Sequence, residues 1–195
     1  MLVEITEAGF GVDIEIAYAT PDNVTGQPVY GRPGCYLHRD AAELLKIAVD
    51  LAQRQGYRLR LYDCFRPAEA QWKLWNFRPD PEFIADPRRG SPHSRGVAVD
   101  LTLLDAGGQP LDMGTGFDAF TPLSHHGNTG ISAAAQRNRT LLMGIMTIAG
   151  WDFYRNEWWH YQMFDARARY PVLSDSVLPV SMMNGPMMNG LGDRR

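Results

Sequence analysis

Residues 97–102, Val97-Ala98-Val99-Asp100-Leu101-Thr102, alternate large apolar with small or polar side chains, a period of two that demands a strand with one face on a core. That strand carries a carboxylate, Asp100, on the face opposite its valines. His93 stands seven positions earlier, and on a continuous strand so odd an offset would send it to the other face. Gly96 lies between them and can turn the chain, which predicts that His93 sits on the incoming loop and reaches the side of Asp100. A second segment, Glu157-Trp158-Trp159-His160-Tyr161, is rich in β-formers. As a strand it would place Trp158 with His160 on one face and Trp159 with Tyr161 on the other. Glu157, three residues before His160, needs a bend at the strand start to point at the same place, and the bend is predicted there.

Together the two segments supply the parts of a catalytic zinc site. Hydrolytic zinc takes three protein ligands and keeps one position for water, and His93, Asp100 and His160 provide two neutral nitrogens and one anionic oxygen. Glu157 is left over as a base for the water and an acid for the leaving amine, which reads as a metallopeptidase. A single buried His or Asp is ordinarily a hydrogen-bonded core residue, so the weight rests on the co-occurrence. The chain lacks His-Glu-x-x-His, which excludes a helix-borne zincin site. A non-haem iron oxygenase also uses two His and a carboxylate, but commonly places His and Asp two apart and has no work for Glu157. A zinc-stabilised module without catalysis has no need of Glu157 or Arg66.

Further residues stand in series: Tyr18-Ala19-Thr20 with Asn23 and Gly26, Tyr62-Asp63 with Phe65-Arg66-Pro67, Ser91 and the segment after it, Asp112-Met113-Gly114 with Phe117-Asp118, Ser124-His125-His126, and Glu157 to Tyr161. The series resembles the zinc D-alanyl-D-alanine dipeptidases of the VanX type, within a wider group of zinc D,D-carboxypeptidases. The resemblance implies that His93, Asp100 and His160 hold one Zn2+ and that Glu157 is general base and acid. It implies that Arg66 polarises the scissile carbonyl, that Asp118 holds the free amino group of the substrate, and that Ser91 and Tyr18 line the pocket. Pro92 and Cys64 depart from the small residues common at their positions, and neither is a proposed ligand. The implied reaction is zinc-dependent hydrolysis of D-Ala-D-Ala to two D-alanines; the alternative is a D,D-carboxypeptidase or endopeptidase acting on longer cell-wall peptides. Physical chemistry supports two of these roles independently. A strand over residues 57–62 delivers Arg66 rigidly and Pro67 starts the next helix, while a substrate with an ammonium group gives Asp118 something to hold.

At 195 residues and 45% hydrophobic, the chain predicts one α+β domain with a central, mainly antiparallel sheet flanked by helices and the metal site on the sheet face. The domain is expected over residues 1–180, followed by a flexible Met/Asn/Gly-rich tail over residues 181–195. Residues 3–20 read as extended, and the Gly/Pro-punctuated residues 21–34 as a loop folded over the site. Helices are expected from Asp40 as cap to Gly56, from Pro67 to about Phe77, and over residues 133–149. His38 reads as a surface or capping residue, and the adjacent His125 and His126 point apart and do not share one metal. A net charge of −3 gives no reason to expect nucleic acid. No stretch is apolar enough for a membrane span and no secretory signal opens the chain, so the expectation is a cytoplasmic protein with Cys35 and Cys64 as reduced, buried thiols. The expected partner is a small dipeptide; nothing in the sequence sets an oligomeric state, or separates D-alanine scavenging from glycopeptide resistance.

Overall fold

A computed structural model describes residues 1–184. Strand β1 (Leu2–Glu4), helix α1 (Glu7–Phe10) and strand β2 (Asp13–Ile14) open the chain. The first twenty residues are therefore less extended than their composition suggests, because Thr6 caps α1 through its side chain and Gly11 closes it in a left-handed conformation. Strand β3 (Tyr36–His38) leads into α2 (Arg39–Arg54), β4 (Arg58–Asp63) and α3 (Ala68–Phe77). Then come β5 (Ala98–Leu104), α4 (Ala133–Ile148), β6 (Asp152–Phe153), β7 (His160–Gln162) and α5 (Ala166–Arg169).

Five strands form one sheet in the order β2-β4-β5-β7-β6, and β1 pairs with β3 separately. The β2–β4 pair is parallel and every other pair antiparallel, the mainly antiparallel α+β arrangement expected. Alternation along β5 explains its position at the centre. Val99, Leu101 and Leu103 fall on one face with Leu59 and Leu61 of β4, all fully buried, where α2 and α4 cover the sheet. Each such leucine contributes roughly 1.5–3 kcal/mol through burial. Ala98, Asp100 and Thr102 take the other face, so all of β5 is buried and only one face is free to carry chemistry.

The helices start largely where the sequence places them. Pro67 stands at the N-cap of α3, and the Ser132 hydroxyl caps α4 by accepting from Ala135 N at 3.0 Å. At the start of α2 the capping reading of His38 holds and that of Asp40 does not: His38 is the N-cap, its Nδ1 accepting from Asp40 N at 3.3 Å. Asp40 instead accepts from the Tyr170 hydroxyl at 2.9 Å. Residues 21–34 fold inward as expected, with Val29 and Tyr30 buried and both their amides bonded to Tyr18 O. Of the segment expected as a tail, Met182 is fully buried, its amide donating to Asp175 Oδ1 at 2.8 Å and its carbonyl accepting from Gly31. Residues 185–195 of that segment lie outside the described residues. No helix among the described residues is long and apolar enough to cross a membrane.

Candidate metal centre

The site begins as a row in the sheet. Asp63 on β4, Asp100 on β5 and His160 on β7 are direct cross-strand partners, so their side chains rise from one face. Asp63 joins this row through a bulge. Pairing slips by one residue between Leu61 and Asp63, which leaves Tyr62 as the extra residue and moves Asp63 from the core face, where simple alternation puts it, to the face of Asp100. His93 comes from outside the sheet, on a 3-10 turn over His93–Arg95 that Gly96 ends at φ 68°. A Cβ on Gly96 would meet Leu2 Cδ2 at 2.5 Å and the His38 amide nitrogen at 3.1 Å, so the turn requires glycine for both conformation and space. Ser91 tightens the same turn, its hydroxyl accepting from His93 N at 3.2 Å.

The three predicted ligands converge. His93 Nε2 lies 3.2 Å from Asp100 Oδ1 and 3.0 Å from His160 Nδ1, and the third side of the triangle, His160 Nδ1 to Asp100 Oδ1, is 3.1 Å. A tetrahedral ion with bonds of about 2.0–2.1 Å spaces its donors about 3.3 Å apart, so the triangle fits three corners of such a shell. The remaining ring nitrogens explain why a cation suits this place. His93 Nδ1 donates to the Cys64 carbonyl at 2.7 Å, and His160 Nε2 faces Gln162 Oε1 at 3.1 Å. Both partners can accept, so the outer nitrogens can carry the imidazole protons and leave His93 Nε2 and His160 Nδ1 as donors to a cation beside a carboxylate. A metal ion satisfies all three at once, and His93, Asp100 and His160, all buried, are the group among the described residues that can hold one.

Around the triangle lies a cavity of about 420 Å³ whose walls include Glu157, Arg66, Asp118, Tyr18 and Ser91, every remaining residue singled out from sequence. Glu157 arrives on the predicted bend: His160 N donates to Glu157 O at 3.3 Å in a turn, and the carboxylate comes within 3.9 Å of His160 Nδ1. The turn also contains Trp158 and Trp159, so the strand begins only at His160. Consequently Trp159, not Trp158, shares the cavity with His160, while Trp158 points its indole N–H at Thr115 Oγ1, 2.9 Å away. Strand alternation fails there because the turn resets the facing.

Arg66 is held on three sides. Its Nε donates to Asp63 Oδ2 at 2.9 Å, Nη1 to Gln71 Oε1 at 3.1 Å and Nη2 to Asp100 Oδ2 at 3.4 Å, with the guanidinium over the Tyr18 ring at 4.8 Å. Asp118 sits at φ 61°, a left-handed conformation that aspartate tolerates better than most residues. Burial pushes its carboxyl up to about 6, against the pull of the Val24 amide, Arg66 and the Tyr18 hydroxyl. Burial also raises Glu157 well above the ordinary carboxylate range, reinforced by the charges of Asp100 and Asp118 and opposed by Arg66. Four buried carboxyl groups, Asp63, Asp100, Asp118 and Glu157, thus lie near one guanidinium, and a divalent cation at the triangle would favour their ionised forms.

Sequence reading includes Asp63 in the series without giving it a role, and passes over Gln71 and Gln162, although Gln162 stands only two residues after His160 on β7. Gln71, fully buried, joins Arg66 to the loop before Ser91 by donating to Ala85 O at 2.7 Å. Cys64 serves through its carbonyl, while burial raises its thiol pKa well above the usual value and so disfavours a thiolate. His125 and His126 do not join the triangle; His125 lies 3.1 Å from Glu82, and burial lowers His126 to about 4.

Comparison with known proteins identifies the family. The family model described as D-Ala-D-Ala dipeptidase, Peptidase M15, matches residues 1–178. A D-alanyl-D-alanine dipeptidase of Escherichia coli (strain K12) is 44% identical over 174 residues, covering 89% of this chain and 90% of that protein. Proteins of the same description from Enterococcus faecium and Streptomyces coelicolor are 37% and 32% identical, covering 83% and 82% of this chain and 90% and 89% of their own lengths. With that family model spanning residues 1–178 and these relatives matching most of the chain, the chain belongs to the D-Ala-D-Ala dipeptidase family of M15 metallopeptidases.

Proposed function

We propose that the chain hydrolyses D-Ala-D-Ala to two D-alanines, using one zinc ion held by His93 Nε2, Asp100 Oδ1 and His160 Nδ1. The observation that carries this reading is the triangle of bare donors beside a free carboxylate, within one cavity that also holds an arginine and a second, separate carboxylate. When bound, zinc supplies a Lewis acid for the scissile carbonyl and acidifies a water toward neutrality. Glu157 accepts the proton of the attacking water and returns it to the departing amine nitrogen. Arg66 faces the oxygen on which negative charge develops, and its three fixed hydrogen bonds spare it reorganisation during the reaction. Asp118, positioned by Tyr18 and Val24, binds the substrate's ammonium group, and Ser91 contributes to the wall and to the placing of His93. Asp118 and its clamp thereby close the amino end of the cavity, which restricts substrates to dipeptides.

The test compares D-Ala-D-Ala with its N-acetyl derivative and with L-Ala-L-Ala, before and after chelation and zinc return. Cleavage of the free D,D-dipeptide alone, lost with chelator and restored by zinc, is expected. Equal cleavage of the N-acetyl compound would instead favour the carboxypeptidase alternative, and oxygen-dependent turnover with iron would overturn the hydrolytic reading.

A further inference from the structure

We propose that Gln162 is a positioning residue for the metal: its side-chain oxygen holds the proton of His160 on Nε2 and thereby presents Nδ1 to the ion. The proposal rests on the zinc reading above and names the side chain on which one of its ligands depends. An imidazole can donate to a metal only through a bare nitrogen, and which nitrogen is bare is set by the hydrogen bond the other makes. His160 Nδ1 points at the triangle, 3.0 Å from His93 Nε2 and 3.1 Å from Asp100 Oδ1, while Nε2 lies 3.1 Å from Gln162 Oε1. A proton on Nδ1 would occupy the space of the ion.

The backbone makes this contact a built one. Gln162 follows His160 by two positions on β7 and so shares its face. It pairs with Ala98 of β5 on one side and Asp152 of β6 on the other, so the strand that delivers the ligand also delivers its proton acceptor, pinned from both edges. The two histidines differ here. His93 gives its outer proton to a main-chain carbonyl, that of Cys64, which no substitution removes; His160 relies on a side chain. That side chain is neutral. With Asp63, Asp100, Asp118 and Glu157 already buried nearby, an amide satisfies the imidazole N–H without adding a further carboxyl group.

Two substitutions separate positioning from packing. Gln162→Met keeps length and removes the acceptor, and Gln162→Glu keeps the acceptor and adds charge. Zinc dissociation constants are measured by competition with a chromophoric chelator, alongside melting of the metal-free proteins. Gln162→Met is expected to bind zinc about 10–100-fold more weakly while the metal-free melting temperature stays that of the unsubstituted protein, and Gln162→Glu to bind as tightly or tighter. Nitrogen-15 NMR of the metal-free, unsubstituted protein at a pH of about 8, above the ordinary imidazole range, should show the His160 proton on Nε2. A Gln162→Met affinity within about twofold of the original, against the 10–100-fold loss expected of such a partner, would overturn the proposal. So would an NMR signal placing the proton on Nδ1. Failure of the unsubstituted protein to bind zinc at all would sink the zinc reading instead, and the NMR result would still decide the role of Gln162.

Discussion

The hydroxyl of Tyr18 donates to Asp118 Oδ1 at 2.9 Å, and the Val24 amide donates to Oδ2 at the same distance, so a carboxylate on the cavity wall is clamped by chain about 100 residues away. Burial nevertheless pushes that carboxyl up to about 6. The sign of the pH effect follows: above this value Asp118 is anionic and can pair with an ammonium group, and below it the pairing charge is lost. We expect kcat/KM for D-Ala-D-Ala to fall as pH drops through about 6, mainly through KM. Asp118→Asn should raise KM about 10–100-fold, the worth of a charged hydrogen bond, and flatten that acid limb. An unaltered KM in this variant would exclude Asp118 from recognition of the amino group.

Glu157 touches the metal triangle without being one of its three donors. Gln at this position preserves size and the buried turn but cannot take a proton. Glu157→Gln should retain zinc at the original stoichiometry and lose about a hundredfold or more in kcat, checked by steady-state kinetics beside metal analysis. Turnover close to that of the unsubstituted enzyme would show that another group moves the proton.

Arg66 meets three partners through a planar fork that lysine cannot reproduce. Arg66→Lys is the informative change, because it keeps a cation beside Asp63 and Asp100, whereas alanine would strand both buried carboxylates. The expected result is a loss of about 10²–10³ in kcat, with KM changing far less, as for removal of an oxyanion donor. Thermal melting of the same variant tells loss of chemistry from loss of fold.

Gly96 controls His93 without any side chain. Alanine there would strain a left-handed residue and press on Leu2 and the His38 backbone. We expect Gly96→Ala to cost more than about 1 kcal/mol, a fall of at least about 2–4 °C in Tm, and to weaken zinc binding because the turn carrying His93 must shift. Melting curves and chelator competition read the two effects separately.

Much of this was legible in the chain because the signals are local. The valine alternation fixes the face of Asp100, Gly96 announces the turn before it, and a carboxylate three residues from a strand histidine requires the bend at Glu157. What escaped depends on partners from elsewhere. Nothing around Tyr62 marks it as a bulge, so Asp63 reads as a core-facing position until its pairing with Asp100 is seen. The swap of Trp158 and Trp159 has the same origin, since a turn that resets the alternation is invisible in a run of β-formers. His38 was legible as a cap, but not that Asp40 would yield the position and bond instead to Tyr170, 130 residues away. Met182 is buried because Asp175 and Gly31 bind its backbone, a fact its Met- and Asn-rich surroundings do not record.

Asp63, Asp100 and His160 stand abreast on three adjoining strands, so their separation is the spacing of the sheet itself. Inserting one residue between Gly96 and Asp100 would rotate Asp100 toward α2 and α4 and dismantle the ion's cradle while deleting no functional group. Residues 81–86 and Arg89, in contrast, wall the cavity from outside the weave, and Gln71 ties them to Arg66 by donating to Ala85 O. Because Arg66 also donates to Asp100, a rebuilt loop reaches an ion donor through a single guanidinium, and wall and cradle have to change together.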